Sequence, residues 1–167
     1  MVMNLPERDK HGYSIKYLKA RMAVCFGGRV AEELIFGYDK VTTGASSDIT
    51  QATSMARNMV VKWGLSDRIG PIDHAEDDSS RMYQSNKPFS EDTGKIIDDE
   101  IKRIVSEALT KARKILDEKK ADLEKLARNL LEYETLTGDE ITDILAGKEI
   151  RKKSNSQPSG SGFIPNV

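Results

Sequence analysis

The side chains of this sequence that could carry chemistry are Asp48, the adjacent Glu32 and Glu33, the lone Cys25, and the histidines His11 and His74. Asp48 lies in the run Thr42-Thr43-Gly44-Ala45-Ser46-Ser47-Asp48-Ile49, where a glycine-containing turn delivers a carboxylate to the start of a helix. A carboxylate there is stabilised by the helix dipole, and Gln51 three residues on completes the pattern of a capping box. Glu32 and Glu33 are paired carboxylates, a combination that serves as metal ligand or as acid and base. Adjacent helical residues do not face the same way, so the two cannot share one role. One is expected to face inward, either paired with Arg29 or Arg57 or orienting a metal-site histidine from behind; the other is expected to face solvent. His11 precedes Gly12 and His74 precedes Ala75, so neither opens a His-Glu-x-x-His motif, and both read as exposed loop residues. Cys25 sits in a hydrophobic run and reads as a small core residue rather than a nucleophile.

The elements that must position these groups are helical. A helix is expected from Ser14 to about Phe36, stopped by Gly37. Ile15, Leu18, Met22, Phe26 and Val30 share one face, and Val24, Ala31 and Ile35 the opposite one. A helix apolar on two sides belongs at the centre of a fold with neighbours on both. Gly27-Gly28 costs roughly 1 kcal/mol per glycine relative to alanine, so either a neighbour's backbone comes close there or the helix breaks. A second helix is expected from Ser47 or Asp48 to Trp63, then a long connection over 64–89 containing Gly70-Pro71, Pro88 and the acidic stretch from Asp73 to Asp78. A third, amphipathic helix follows from about Ser90 to Leu116, lined by Ile97, Ile101, Ile104, Val105, Ala108, Ala112 and Ile115. Leu123, Leu126, Ala127, Leu130 and Leu131 mark a fourth. Thr137-Gly138-Asp139-Glu140 is a capping box that opens a fifth, with Gly147 as its stop. Residues 1–147 thus read as one mainly α, helical bundle-like domain. The Lys-, Ser-, Gly- and Pro-rich residues 148–167 read as a disordered tail.

Composition removes several classes. With 26 basic and 27 acidic residues the net charge is -1, which gives no electrostatic reason to propose nucleic acid as a partner. One cysteine excludes an internal disulfide and any Cys-cluster metal site. Only 6% of the residues are aromatic, so the core must be aliphatic. No apolar run approaches the roughly 18 residues that a membrane span needs, and the N-terminus does not read as a signal peptide. No Walker A motif is present.

Two segments carry a family resemblance. Gly27-Gly28-Arg29-Val30-Ala31-Glu32-Glu33-Leu34-Ile35-Phe36-Gly37, followed closely by Val41-Thr42-Thr43-Gly44-Ala45-Ser46-Ser47-Asp48-Ile49, resembles the protease domain of the FtsH-type AAA+ zinc metalloproteases. Those are membrane-anchored ATP-dependent proteases of bacteria, mitochondria and chloroplasts. Trp63-Gly64-Leu65-Ser66 and Gly70-Pro71 fit the same pattern, and a similar order of segments runs from Pro6 to about Gly147.

In that family zinc is held by a His-Glu-x-x-His helix and by an aspartate, and the resemblance assigns the aspartate's role of third zinc ligand to Asp48. The expectation is a C-terminal part of the peptidase domain without the His-Glu-x-x-His helix or the ATPase domain that binds ATP. The catalytic Glu would lie in that helix, so no residue of this chain is expected to be catalytic. The chain alone is expected to be inactive and soluble. For the parent, the resemblance implies a metalloendopeptidase that degrades membrane and soluble proteins as a homo-oligomeric hexameric ring. That parent would be anchored in the inner membrane with its protease domain on the cytoplasmic side, or the organellar equivalent, touching membrane only through segments absent here. The amphipathic helices alone would equally support a non-enzymatic scaffold or adaptor, and a third reading is a degenerate protease paralogue that naturally lacks the metal helix.

Overall fold

Ser14 turns its hydroxyl onto the N–H of Tyr17 and starts the first helix of a wholly helical arrangement. The computed structural model describes residues 12–75 and 89–148. Among them are α1 (Ile15–Cys25), α2 (Gly27–Phe36), α3 (Ser46–Val61), α4 (Glu91–Glu118), α5 (Lys120–Tyr133) and α6 (Gly138–Leu145), with single 3-10 turns at Tyr38–Lys40 and Thr43–Ala45. No strand occurs among the described residues. The mainly α expectation holds. The chain divides into two units, Met1–Lys119 and Lys120–Val167.

In the first unit α1 packs against α3 and α4, and α2 packs against α4. Leu18, Met22, Phe26 and Val30 meet Ala52, Ala56, Met59 and Val60 of α3 and Ile97, Ile104, Ala108 and Ala112 of α4 in one core. Four alanines, Ala52, Ala56, Ala108 and Ala112, keep the α3 and α4 sides of this core slim, and the larger aliphatic side chains fill what remains.

The expected single helix from Ser14 to Phe36 is two. Phe26 has ψ of -6°, which interrupts the helical ladder, and α2 starts at Gly27 without a side-chain cap. The glycine pair lowers helix propensity at this point, so the break falls where continuation is least favourable. The expected close backbone approach is not found: a Cβ on Gly27 or Gly28 would meet nothing within 4 Å. The second apolar face also lacks its expected neighbour among the described residues. Val24 is 70% exposed and Ile35 47%.

After α3 the chain turns sharply at Gly64, whose φ is +58°. A Cβ here would lie 2.6 Å from the Cα of Pro71, so glycine is required both by conformation and by space. Trp63 remains half-exposed rather than packed in the core. The start of the chain with His11, most of the acidic stretch with Pro88, and the expected tail beyond Lys148 lie outside the described residues.

In the second unit the capping box of α6 forms in full. Thr137 Oγ1 accepts from the Glu140 N–H at 3.3 Å, and Glu140 Oε2 accepts from the Thr137 N–H at 2.7 Å. Ala146 caps the helix and Gly147 follows with φ of +79°. Lys148 Nζ pairs with Asp143 at 2.8 Å.

Candidate functional site

Asp48 is the third residue of α3, half-buried, in its first turn. The capping alternative does not hold. The N-cap is Ala45, no side chain caps the helix, and Gln51 is engaged elsewhere. Among the described residues the Asp48 carboxylate has no hydrogen bond and no ion pair. A carboxylate that is partly withdrawn from water and has no donor leaves its oxygens open to a cation.

Its neighbourhood is set by α1. The Cys25 thiol donates to Oε1 of Gln51 at 3.5 Å, which joins the end of α1 to the second turn of α3. Burial foremost, and then the negative charge of Asp48, push that thiol's pKa up. Cys25 is therefore a protonated, buried side chain, as its hydrophobic setting indicates, and not an activated nucleophile.

The turn that leads into α3 is held by Glu32. Its carboxylate accepts the Thr42 backbone N–H at 2.9 Å and the Thr42 hydroxyl at 3.2 Å. Thr42 Oγ1 in turn accepts the Gly44 N–H at 3.2 Å, capping the 3-10 turn Thr43–Ala45. Ser46 closes the other end by donating its hydroxyl to the Thr43 carbonyl. Gly44 is constrained by this arrangement: a Cβ would stand 3.2 Å from Thr42 Oγ1.

Glu33 goes a different way. Both its oxygens accept from Nη2 of Arg113 at 2.8 Å, tying α2 to α4. The expected pairing of an inward glutamate with Arg29 or Arg57 is replaced by these two separate engagements, and neither glutamate is left facing solvent alone. Adjacent positions on α2 diverge, so one carboxylate reaches the loop and the other the neighbouring helix.

His74, expected to be solvent-exposed, is half-buried. Its N–H donates to the Val61 carbonyl at 2.8 Å, and its ring meets Phe89 edge-on with centroids 5.7 Å apart. A hollow of about 440 Å³ lies by Arg57, Phe89 and the start of α4, and none of the sequence-derived site residues lines it.

One functional-looking carboxylate escaped the sequence reading. Glu100 on α4 is fully buried and accepts from Ser66 Oγ at 2.8 Å, Arg68 Nη1 at 3.3 Å, and Arg103 Nε and Nη2 at 3.1 and 2.9 Å. Its hydrogen bonds to Arg103, then to Ser66 and Arg68, outweigh burial and hold its pKa down at about 2. The signal was available: Glu100 falls three after Ile97 and four before Ile104, on the core-facing stripe. With every oxygen engaged it is structural.

The sequence matches Peptidase family M41 over residues 1–144. The chain belongs to this family. It is 46% identical over 151 residues to the ATP-dependent zinc metalloprotease FtsH of Caulobacter vibrioides, covering 88% of this chain and 24% of that protein. Against the proteins of the same description from Neorickettsia risticii and Rickettsia bellii, identity is 45% and 44%, with 92% and 96% of this chain covered. The chain spans about a quarter of the length of these curated relatives.

Zinc, named in those descriptions, can be tested against the donors present. Asp48 suits the role of one oxygen donor, because its carboxylate has no competing partner. A single carboxylate does not make a site, and among the described residues no three His, Cys, Asp or Glu side chains are grouped to hold a metal ion. No helix among the described residues is long and apolar enough to cross a membrane.

Proposed function

We propose that this M41 chain is the C-terminal part of the peptidase domain of an ATP-dependent zinc endopeptidase, and that Asp48 gives that enzyme's metal one of its ligands. The observation that carries the reading is the state of Asp48. It is a half-buried carboxylate in the first turn of α3, with no hydrogen bond or ion pair among the described residues and a protonated thiol as its neighbour. Structural carboxylates in this chain look different: Glu32, Glu33, Glu100 and Glu140 each accept at least two hydrogen bonds. Exposed carboxylates such as Asp98 and Asp99 also have no partner among the described residues, but Asp48 combines partial burial with an unengaged carboxylate, which is what a ligand position requires.

Zinc, when bound by three protein donors, supplies an acidified water for attack on a peptide carbonyl. Asp48 would fix one coordination position from a rigid helix. The imidazole donors are assigned to a His-Glu-x-x-His helix outside these 167 residues, and ATP to an ATPase domain likewise outside them. The family match ends at residue 144, close to Gly147, which supports residues 1–147 as the peptidase-domain portion. On this reading the parent acts on protein substrates as a membrane-anchored hexamer, and the 167-residue chain by itself has no peptidase activity. A degenerate relative that never held zinc is the competing reading.

The test is metal content and affinity in the full-length enzyme. One zinc per chain is expected, and Asp48→Ala should weaken it by more than the roughly 10–100-fold typical of an outer-shell partner. Unchanged zinc occupancy in that variant would remove Asp48 from the site. A full-length protein that holds no zinc at all would favour the degenerate relative.

A further inference from the structure

We infer that two adjoining hollows, at the far end of α3 from Asp48, form a binding site for a carboxylate carried on an apolar body. That is the chemistry of a peptide's C-terminal end. Arg57 and Phe89 line both hollows and join them. The inference stands apart from the metal reading, because Asp48 lies in the first turn of α3 and these residues gather at its last.

The last turn of α3 is closed by the loop that follows it. The Asn58 carbonyl accepts the N–H groups of Lys62 and Trp63, the Met59 carbonyl that of Leu65, and the Val61 carbonyl that of His74 at 2.8 Å. Carbonyls engaged in this way soften the negative end of the helix dipole, which would otherwise oppose an anion. The bond to Val61 also brings His74 back beside α3. From the other side α4 starts after Ser90, and Gly94 in its first turn leaves room for the Phe89 ring. A Cβ on Gly94 would stand 3.2 Å from Phe89 Cε2. The ring thus lies close to α4 and meets His74 edge-on, with centroids 5.7 Å apart. It is a fixed aromatic wall.

The two hollows differ in charge. The smaller, about 210 Å³, is lined by Arg57, Asn58, Lys62 and His74 together with Val61 and Phe89, and no carboxylate lines it. Neither Arg57 nor Lys62 has an ion-pair partner among the described residues, so their charge is not neutralised within the chain. The larger, about 440 Å³, adds Lys95 but also Glu91 and Asp98. A carboxylate is therefore drawn to the smaller hollow and repelled from the acidic part of the larger one, which gives the pair a direction. Arg57 offers a planar fork that grips both oxygens of a carboxylate. Phe89, Val61 and Ile97 offer apolar surface to the body behind it. Inorganic phosphate has no group to place on that surface.

The test is binding of N-acetylphenylalanine to the isotope-labelled 167-residue chain, followed by amide shifts at a dilution where light scattering shows a monomer. Two comparison ligands separate the contributions. N-acetylphenylalanine amide has the same body and no charge, and inorganic phosphate has charge and no body. A dissociation constant of about 1 mM is expected for the acid, in keeping with a small ligand in an open site. The shifts should centre on Arg57, Asn58, Lys62, His74 and Lys95. The amide and the phosphate should each bind at least ~10-fold more weakly. Arg57→Ala should weaken the acid by at least ~10-fold, and Arg57→Lys should recover only part of that loss. Lys16→Ala, the same charge change on α1, should alter nothing. Phe89→Ala should weaken the acid and leave the phosphate unchanged.

Equal affinity for the acid and its amide would overturn the anion site. Phosphate binding as tightly as the acid would overturn the part given to the apolar surface, and the ligand class with it. Unchanged affinity in Arg57→Ala would move the ligand elsewhere; should that variant not fold, Lys62→Ala carries the same comparison. The acidic run Glu76-Asp77-Asp78 follows closely in sequence and could serve as an internal anion. A parent chain that binds nothing, while Glu76→Gln/Asp77→Asn/Asp78→Asn binds the acid, would assign the hollows to that run and overturn an external ligand. Absence of binding in both would overturn it equally. None of these results touches zinc, so failure here leaves the reading of Asp48 as it stands.

Discussion

The fully buried Glu100 of α4 accepts the Ser66 hydroxyl at 2.8 Å, and this bond pins the loop after α3 to the longest helix of the chain. Arg68 and Arg103 complete the shell from positions 55% and 46% exposed. Charges this accessible can rehydrate if the carboxylate is lost. Glu100→Gln is therefore expected to cost roughly 1–3 kcal/mol, less than breaking a fully enclosed pair. The pH dependence has a definite sign. In the fold this group titrates at about 2, against 4.5 ordinarily, so below pH 4.5 the unfolded chain binds the extra proton. Stability from Glu100 is complete above about pH 4.5 and drains as pH falls toward 2. Glu107, its pKa lowered chiefly by Lys19 and then Arg103, adds the same sign. Urea midpoints at pH 6, 4 and 3 should fall more steeply for the parent than for Glu100→Gln; parallel slopes would refute the assignment.

Gly64→Ala should be among the most damaging single-methyl changes available. The new Cβ would stand 2.6 Å from Pro71 Cα, a backbone atom that cannot swing aside, and φ there is +58°. Left-handed strain of about 1–2 kcal/mol and overpacking of about 1–3 kcal/mol act together. Thermal unfolding of the variant should show a loss of several degrees. An unchanged midpoint would mean that the turn is free to relax.

The sequence made the helices legible because each has a period and a punctuation mark. The α6 capping box, the Ser90 N-cap and the stripe Ile97–Ile104–Ala108–Ala112 depend on neighbours three or four residues away, and local spacing is what a sequence displays. The break at Phe26 was visible only as an alternative, since the glycine pair permits both a close approach and an interruption. The partners of Glu32, Glu33 and Glu100 were not legible. They lie 10, 80 and 34 residues away, at Thr42, Arg113 and Ser66, and only the packing of α2 and α4 chooses them. Asp48 stood out through resemblance, because as spacing alone it was an ordinary cap.

Gly28→Ala should stabilise this chain. The glycine lies inside α2 at a position where a Cβ meets nothing within 4 Å, so alanine brings its helix propensity without a clash. The expected gain is about 0.5–1 kcal/mol, seen as a rise of a few degrees in the unfolding midpoint. The same substitution in the full-length enzyme has the opposite expected sign if another segment's backbone packs on this face. A gain in both proteins would argue that the surface is open in each.

That face gives the last expectation. Val24 is 70% exposed, Ile35 47% and Phe36 60%, and they flank the bare glycine pair along α1 and α2. Exposed large apolar side chains gathered on two successive helices favour association over exposure to water. The 167-residue chain should self-associate with rising concentration, and light scattering should show its mean mass increase. Burying one valine or isoleucine at a contact contributes about 1.5–3 kcal/mol, which corresponds to roughly tenfold or more in affinity. Val24→Lys and Ile35→Gln should therefore each shift the association to higher concentration by at least ~10-fold, provided both residues are covered in the assembly. A charge at position 24 also meets no fold penalty, since the side chain already faces solvent. A parent chain that stays a compact monomer across the whole concentration range would show that these side chains are satisfied where they are.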